Sequence, residues 1–84
     1  MAELIQQYAT LVEGPGGVWY ASQVWGEGRT DGTWEGWIEF HPAAPPGIVL
    51  RTERETTQPN RDALAYWASG LEPIYFDGAL ARAL

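Results

Sequence analysis

Alternation of apolar and polar residues dominates the first half of the chain. It is clearest over residues 33–41, where Trp34, Gly36, Ile38 and Phe40 share one face of a predicted strand. The residues between them share the other face, because successive side chains of a strand point to opposite sides. The apolar set is therefore predicted to face the core.

Three more segments have the composition of strands. Residues 4–13 and 18–25 are rich in β-branched and aromatic residues, and they flank a turn at Gly14–Gly17. A fourth strand is predicted over residues 48–54. In it Ile48, Leu50 and Thr52 are expected to point inward, and Val49, Arg51 and Glu53 outward.

Asp31-Gly32 is the strongest turn signal in the chain. It predicts a two-residue type I′ hairpin loop between the second and third strands, because that loop needs positive φ at both positions. Pairing Thr30 with Thr33 then places Trp25 opposite Ile38, and Val24 opposite Glu39.

Helical periodicity replaces alternation after residue 56. Thr57, with Asn60 as the alternative, is the predicted N-cap around Pro59, and Gly70 is the predicted left-handed end. The apolar stripe of this helix is Leu64, Trp67, Ala68 and Leu71. Residues 73–84 predict a second helix with Phe76 and Leu80 inward, although 74–76 could be extended instead.

These elements predict one α+β domain over residues 1–84. It is a four-stranded antiparallel sheet, most simply a meander, packed on one face by one or two C-terminal helices. A chain of this length buries only about 60% of its unfolded surface, so large side chains must fill its core. Four of the five tryptophans are accordingly predicted in the core: Trp19, Trp25, Trp34 and Trp67.

Charge and composition restrict the possible functions. The net charge of −6 disfavours nucleic acid and anionic membrane surfaces as partners. The chain has no lysine for Schiff-base chemistry and no cysteine for disulfide or thiolate chemistry. We therefore expect a cytoplasmic protein without a cofactor.

No residue pattern indicates catalysis. Glu35 and Glu39 lie roughly 13 Å apart on one strand face, too far for a glycosidase carboxylate pair. His41 and Glu39 supply two potential metal ligands where three or four are needed. We expect a solvated histidine at the end of a strand and a protein that is not an enzyme.

The segment Arg51–Arg61 joins the sheet to the helices and contains three of the five arginines. A strand-to-helix corner exposes backbone groups that need partners, so a scaffold role is the simpler interpretation and a binding site the alternative. We expect Arg51, Arg54 and Arg61 to pair with Glu53, Glu55, Asp62 or other acids of the sheet.

Trp37 differs from the other tryptophans because strand alternation places it on the polar face, among charged residues. It is predicted to be exposed, either as the centre of a protein-contact surface or stacked by Arg51 in a cation–π contact. The candidate contact residues are Glu35, Trp37, Glu39, Arg51, Glu53, Arg54 and Arg61.

Three segments, residues 34–40, 51–61 and 66–73, carry a resemblance. Their motifs WEGWIEF, RTERETTQPNR and YWASGLEP, followed by GALAR, resemble those of a family of small, uncharacterised bacterial proteins. The resemblance implies a bacterial stand-alone domain and no particular activity.

Three functions are consistent with these observations. The first is a non-catalytic protein-binding or regulatory module that acts through its polar sheet face. The second is a small accessory or structural subunit that self-associates through its sheet. The third is an acidic inhibitor that mimics nucleic acid, although the eleven acids are spread evenly along the chain.

Overall fold

Five strands precede two helices in the computed structural model, which describes residues 1–84. A 3-10 turn over Pro15–Gly17 joins the first two strands. The elements are β1 (Glu3–Glu13), β2 (Trp19–Gly28), β3 (Trp34–Pro42), β4 (Leu50–Arg51), β5 (Thr56–Gln58), α1 (Arg61–Ser69) and α2 (Pro73–Ala83). The sheet is antiparallel in the order β1-β2-β3-β4, and β5 also pairs with β3. The predicted α+β fold is confirmed.

The predicted register between β2 and β3 is wrong by one residue. Val24 lies opposite Ile38, and Trp25 lies opposite Trp37. The loop holds three residues, since Arg29 N–H donates to the Thr33 carbonyl at 2.7 Å and Gly32 N–H donates to the Arg29 carbonyl at 3.0 Å. Within this loop only Gly32 has a positive φ, of 88°, which is typical of a type I turn followed by a left-handed glycine.

This shift changes the faces of β2, because a slip of one residue moves a side chain to the other side of the sheet. Tyr20, Ser22 and Val24 are buried on the core face. Trp19 and Trp25, which the sequence places in the core, lie on the opposite face with Trp37. Trp19 is 48% exposed.

The fourth strand is shorter than predicted, and it is interrupted. Ile48, predicted to point inward, is 73% exposed, and pairing begins only at Leu50. Arg51 lies opposite Glu39 and Thr56 opposite Gly36, so four residues of the edge lie across from only two residues of β3. We call the segment Thr52–Glu55, which contains two residues more than the facing part of β3, the bulge.

Thr52 keeps the edge hydrogen-bonded to β3 at the start of the bulge. Its N–H donates to the Ile38 carbonyl at 2.9 Å, and its Oγ1 accepts from Ile38 N–H at 3.0 Å. The side chain thus supplies an acceptor to a buried strand residue. Thr52 is itself buried, as predicted, whereas Glu53 and Arg54 are exposed.

Asn60, not Thr57, caps the first helix. Its Oδ1 accepts from Ala63 N–H at 2.8 Å, while Thr57 lies in β5 opposite Glu35. The hydroxyl of Thr57 therefore has no helix amide to satisfy, and the prediction is wrong because the sheet extends beyond residue 54. Gly70 ends the helix in a right-handed conformation, with φ −94°, and not in the predicted left-handed one.

The core lies between one face of the sheet and both helices. Ile38 and Phe40 pack there as predicted, and Leu64 and Ala68 of α1 are inaccessible to solvent. Residues 74–76 are helical, and Phe76 contacts Tyr8 of β1 with ring centroids 4.5 Å apart. Trp34 and Trp67 are only half-buried. Neither helix is long and apolar enough to cross a membrane.

Candidate functional site

The helices leave the other side of the sheet uncovered. We call it the open face, and it carries Trp19, Ala21, Gln23 and Trp25 of β2 and Glu35, Trp37, Glu39 and His41 of β3. Cross-strand pairing arranges these side chains in rows with β1. The rows are Leu4, Trp25 and Trp37; Gln7, Gln23, Glu39 and Arg51; and Leu11, Ala21 and His41.

Trp37 is buried, contrary to the prediction that it is exposed, and the predicted alternative of stacking by Arg51 is present. Only 3% of the residue is accessible, because the Arg51 guanidinium carbon lies 4.1 Å from the centre of its ring. Its indole N–H donates to Glu39 Oε2 at 3.3 Å. Trp37 lies on a central strand, so neighbours on both sides cover it. Trp37 therefore lies beneath Arg51 within the open face and offers no exposed aromatic side chain to a partner.

Glu39 connects Trp37 to His41. Its Oε1 lies 3.0 Å from His41 Nε2, so both carboxylate oxygens have a partner. Arg51 lies directly across the ladder from Glu39 yet stacks on Trp37 instead of forming an ion pair with it. No group of three or more His, Asp or Glu side chains is placed to hold a metal ion.

The other predicted contact residues lie apart from Trp37. Glu35 is near Arg29, with 3.6 Å between Oε2 and Nη1. Arg61 pairs with Glu3 of β1 at 3.5 Å, so one of the predicted arginine pairs with a sheet acid is present. Arg51 and Arg54 have no carboxylate within ion-pair distance.

Glu55 is the most buried acidic residue of the segment Arg51–Arg61. Its side chain is 9% exposed, and it contacts two residues of α2 that the sequence analysis did not select, Tyr75 and Arg82. Tyr75 Oη donates to Glu55 Oε1 at 2.6 Å, and Arg82 Nε donates to Oε2 at 3.3 Å. No local signal indicates these contacts, because the partners are 20 and 27 residues away.

The environment of Glu55 shifts three pKa values. Burial acts to raise the pKa of Glu55, but the hydrogen bonds from Arg82 and Tyr75 outweigh burial and hold it below its ordinary value. Burial, together with the hydrogen bond to Glu55, raises the pKa of Tyr75 to about 12. The same carboxylate raises the pKa of Arg82. Glu55 and Arg82 are thus charged together at neutral pH.

Glu55→Gln is expected to lower the free energy of unfolding by about 1 kcal/mol near neutral pH, because Arg82 loses its charged partner. A lowered pKa in the folded state stabilises the protein above the unfolded-state pKa, and this stabilisation disappears as pH falls through the folded-state value. Urea melts of both proteins should therefore differ at neutral pH and converge below the ordinary pKa of 4.5. A difference that stays constant into strong acid would contradict this assignment.

The open face ends in an apolar groove beside Trp19. The groove has a volume of about 430 Å³ and is lined by Leu11, Val18, Trp19 and the loop that contains Pro45 and Pro46. Leu11 and Trp19 are both exposed. This groove was not predicted from the sequence, because Trp19 was assigned to the core. The position of Trp19 as the first residue of its strand was the one local signal for its exposure.

Comparison with known proteins provides no relative. No protein-family model, curated protein or solved structure matches the chain. The resemblance to small bacterial proteins stays a prediction, and the function must be inferred from the residues of this chain.

Proposed function

We propose that this protein is a non-catalytic module that binds another protein through its open face, with Trp19 as the main apolar anchor. The observation that carries the proposal is the exposure of Trp19, at 48%, on a sheet face that neither helix covers. Tryptophan is enriched among the residues that dominate binding energy in protein interfaces. This anchor replaces Trp37, which is already buried within the chain.

The surroundings of Trp19 have the composition of a contact surface. The groove beside it is apolar, and the loop that lines it continues into Ile48 and Val49, which are both exposed. Polar side chains such as Gln23, Glu39 and His41 follow along the open face. An apolar centre with a polar margin is the usual anatomy of an interface.

Glu13 indicates the charge of the partner. It lies directly opposite Trp19 on β1, is exposed and takes part in no ion pair. In a chain of net charge −6, an unpaired carboxylate beside the anchor favours a partner surface with basic residues around an apolar pocket. Association is then expected to weaken as ionic strength rises.

Trp19→Ala should weaken partner binding roughly 30-fold or more, which corresponds to about 2 kcal/mol. The thermal melt should change little, since half of this side chain is already in water. The partner can be identified by placing a photo-crosslinking amino acid in the native host at position 11, which lines the groove and leaves Trp19 in place. The affinity of the purified partner for wild-type protein and variant is then measured by calorimetry.

Tyr66 provides the matched control. It is an aromatic residue with 82% exposure on α1, away from the open face. A crosslinker at position 66 should capture less of the same partner, and Tyr66→Ala should leave affinity unchanged. Equal crosslinking from positions 11 and 66, or equal affinity of Trp19→Ala and wild type, would refute the proposal.

Self-association through β1 is a second candidate, and the free edge of that strand favours it. β1 is eleven residues long, pairs with β2 on one side only, and contains neither proline nor lysine to block a further strand. Two such edges can pair antiparallel around a twofold axis. Sedimentation equilibrium of the wild-type chain over a range of concentrations separates the candidates, because only self-association gives a mass that rises with concentration.

A further inference from the structure

The five arginines of this chain divide into two groups. Arg29, Arg61 and Arg82 each form an ion pair with a carboxylate. The other two, Arg51 and Arg54, have no carboxylate partner, although acidic residues outnumber arginines eleven to five. Both unpaired arginines line the same cleft, which has a volume of about 490 Å³.

The bulge forms this cleft. It lies between Thr52–Glu55 and the C-terminal half of α2, and its lining residues are all charged: Arg51, Glu53, Arg54, Glu55 and Arg82. A regular edge strand would keep residues 53 and 54 in the ladder. The two extra residues instead remove Glu53 and Arg54 from pairing with β3 and leave both side chains in solvent. Bulges often redirect side chains in this way near functional sites.

Existing contacts leave the cleft with an excess of positive charge. The carboxylate of Glu55 accepts hydrogen bonds from Tyr75 and Arg82. The ion pair of Glu55 with Arg82 therefore contributes no net charge. Arg51, Arg54 and Glu53 remain without ion-pair partners. Two guanidinium groups and one carboxylate give a local charge of opposite sign to the −6 of the chain.

Trp37 positions one of these guanidinium groups. Arg51 stacks on the indole with 4.1 Å between the guanidinium carbon and the ring centre. Stacking occupies the flat face of a guanidinium and leaves the N–H donors at its edge available for a planar oxyanion. An arginine held in this way loses less conformational freedom on binding than a free one.

We propose that the cleft binds a doubly charged oxyanion, a phosphoryl group or a dicarboxylate, between the edges of Arg51 and Arg54. Each guanidinium donates two parallel hydrogen bonds to oxygens of the ligand. Arg82 lies on the opposite wall, where it stays paired with Glu55 and adds no net charge. Glu53 opposes binding, since its carboxylate shares the cleft.

Calorimetric titration with sodium phosphate and with succinate at low ionic strength tests the site. Saturable binding of at least one probe is expected, and the tighter probe identifies the ligand class. Arg54→Gln should weaken binding about tenfold or more, and Glu53→Gln should tighten it several-fold. Arg51→Gln also uncovers Trp37, so Arg54→Gln, which changes an exposed residue of the bulge, is the decisive variant.

Arg29→Gln is the matched control. It removes one exposed arginine near the opposite end of β3, where Arg29 pairs with Glu35. Binding should be unchanged in this variant, and the side-chain N–H signals of Arg51 and Arg54, but not Arg29, should shift in NMR titrations. The proposal is overturned if neither probe saturates by about 50 mM. It is also overturned if Arg29→Gln weakens binding as much as Arg54→Gln, because the effect is then general surface charge.

Discussion

Leu64→Ala is expected to lower the free energy of unfolding by about 2–5 kcal/mol. Leu64 is inaccessible to solvent, and its two terminal methyl groups lie over two glycines that pair across the sheet, Gly26 and Gly36. An added Cβ would lie 2.3 Å from Leu64 Cδ2 at Gly26 and 2.6 Å from Cδ1 at Gly36. These glycines therefore form the depression that receives the helix, and truncation of Leu64 leaves it empty.

Gly36→Ala tests the same contact from the sheet. It should destabilise the wild-type protein by about 1–3 kcal/mol, because Leu64 must shift, and cost at least about 1 kcal/mol less in the Leu64→Ala background. Urea melts of the four proteins measure this coupling. Gly70→Ala is the control, since its Cβ would meet only ordinary contacts, beginning at 3.7 Å. Equal costs of Gly36→Ala in the two backgrounds would show that Leu64 does not occupy the depression.

Thr52→Val should cost about 1–3 kcal/mol, although it hardly changes the volume of the side chain. The substitution removes the acceptor of the Ile38 N–H and leaves a buried donor without a partner. The change is measured by denaturant melts, and hydrogen exchange at the Ile38 amide should become faster. The effect is local to the bulge, because the remaining ladder between β3 and its edge strands does not use this hydroxyl.

Two substitutions serve as controls for Thr52. Thr52→Ser keeps the hydroxyl acceptor and should retain most of the stability. Thr57→Val changes an exposed threonine of β5 and should be close to neutral, even though the sequence pattern assigns a helix cap to that residue. If Thr52→Val and Thr52→Ser melt alike, the hydroxyl does not satisfy the Ile38 amide.

The local pattern of apolar and polar residues was sufficient to predict burial where it depends mainly on neighbouring residues in the chain. Alternation identified β3 and its core face, with Ile38 and Phe40 inside. Helical spacing identified Leu64 and Ala68 as the buried stripe of α1. These predictions held because the apolar face of a strand or helix must be buried somewhere, whatever element covers it.

The length of the loop between β2 and β3 decided which side chains of β2 face the core. The sequence gives only a weak indication of that length. Asp31-Gly32 is compatible with a two-residue or a three-residue hairpin loop, since both place glycine at a positive φ. The difference of one residue moved Trp19 and Trp25 to the open face and Val24 to the core. The proposed anchor of the interface therefore depends on a choice that short-range signals leave open.

Sequence pattern alone predicted the fold class, the first three strands and the first helix in their order, and the core faces of β3 and α1. The tertiary structure was needed to show which tryptophans are exposed, where the edge strand bulges, and which partner each charged residue has. Glu55 illustrates the reason, because its carboxylate contacts Tyr75 and Arg82 across 20 and 27 residues of chain. Such contacts depend on how α2 lies against β4 and β5, and the alternation and helical spacing that predict individual elements contain no information about that placement.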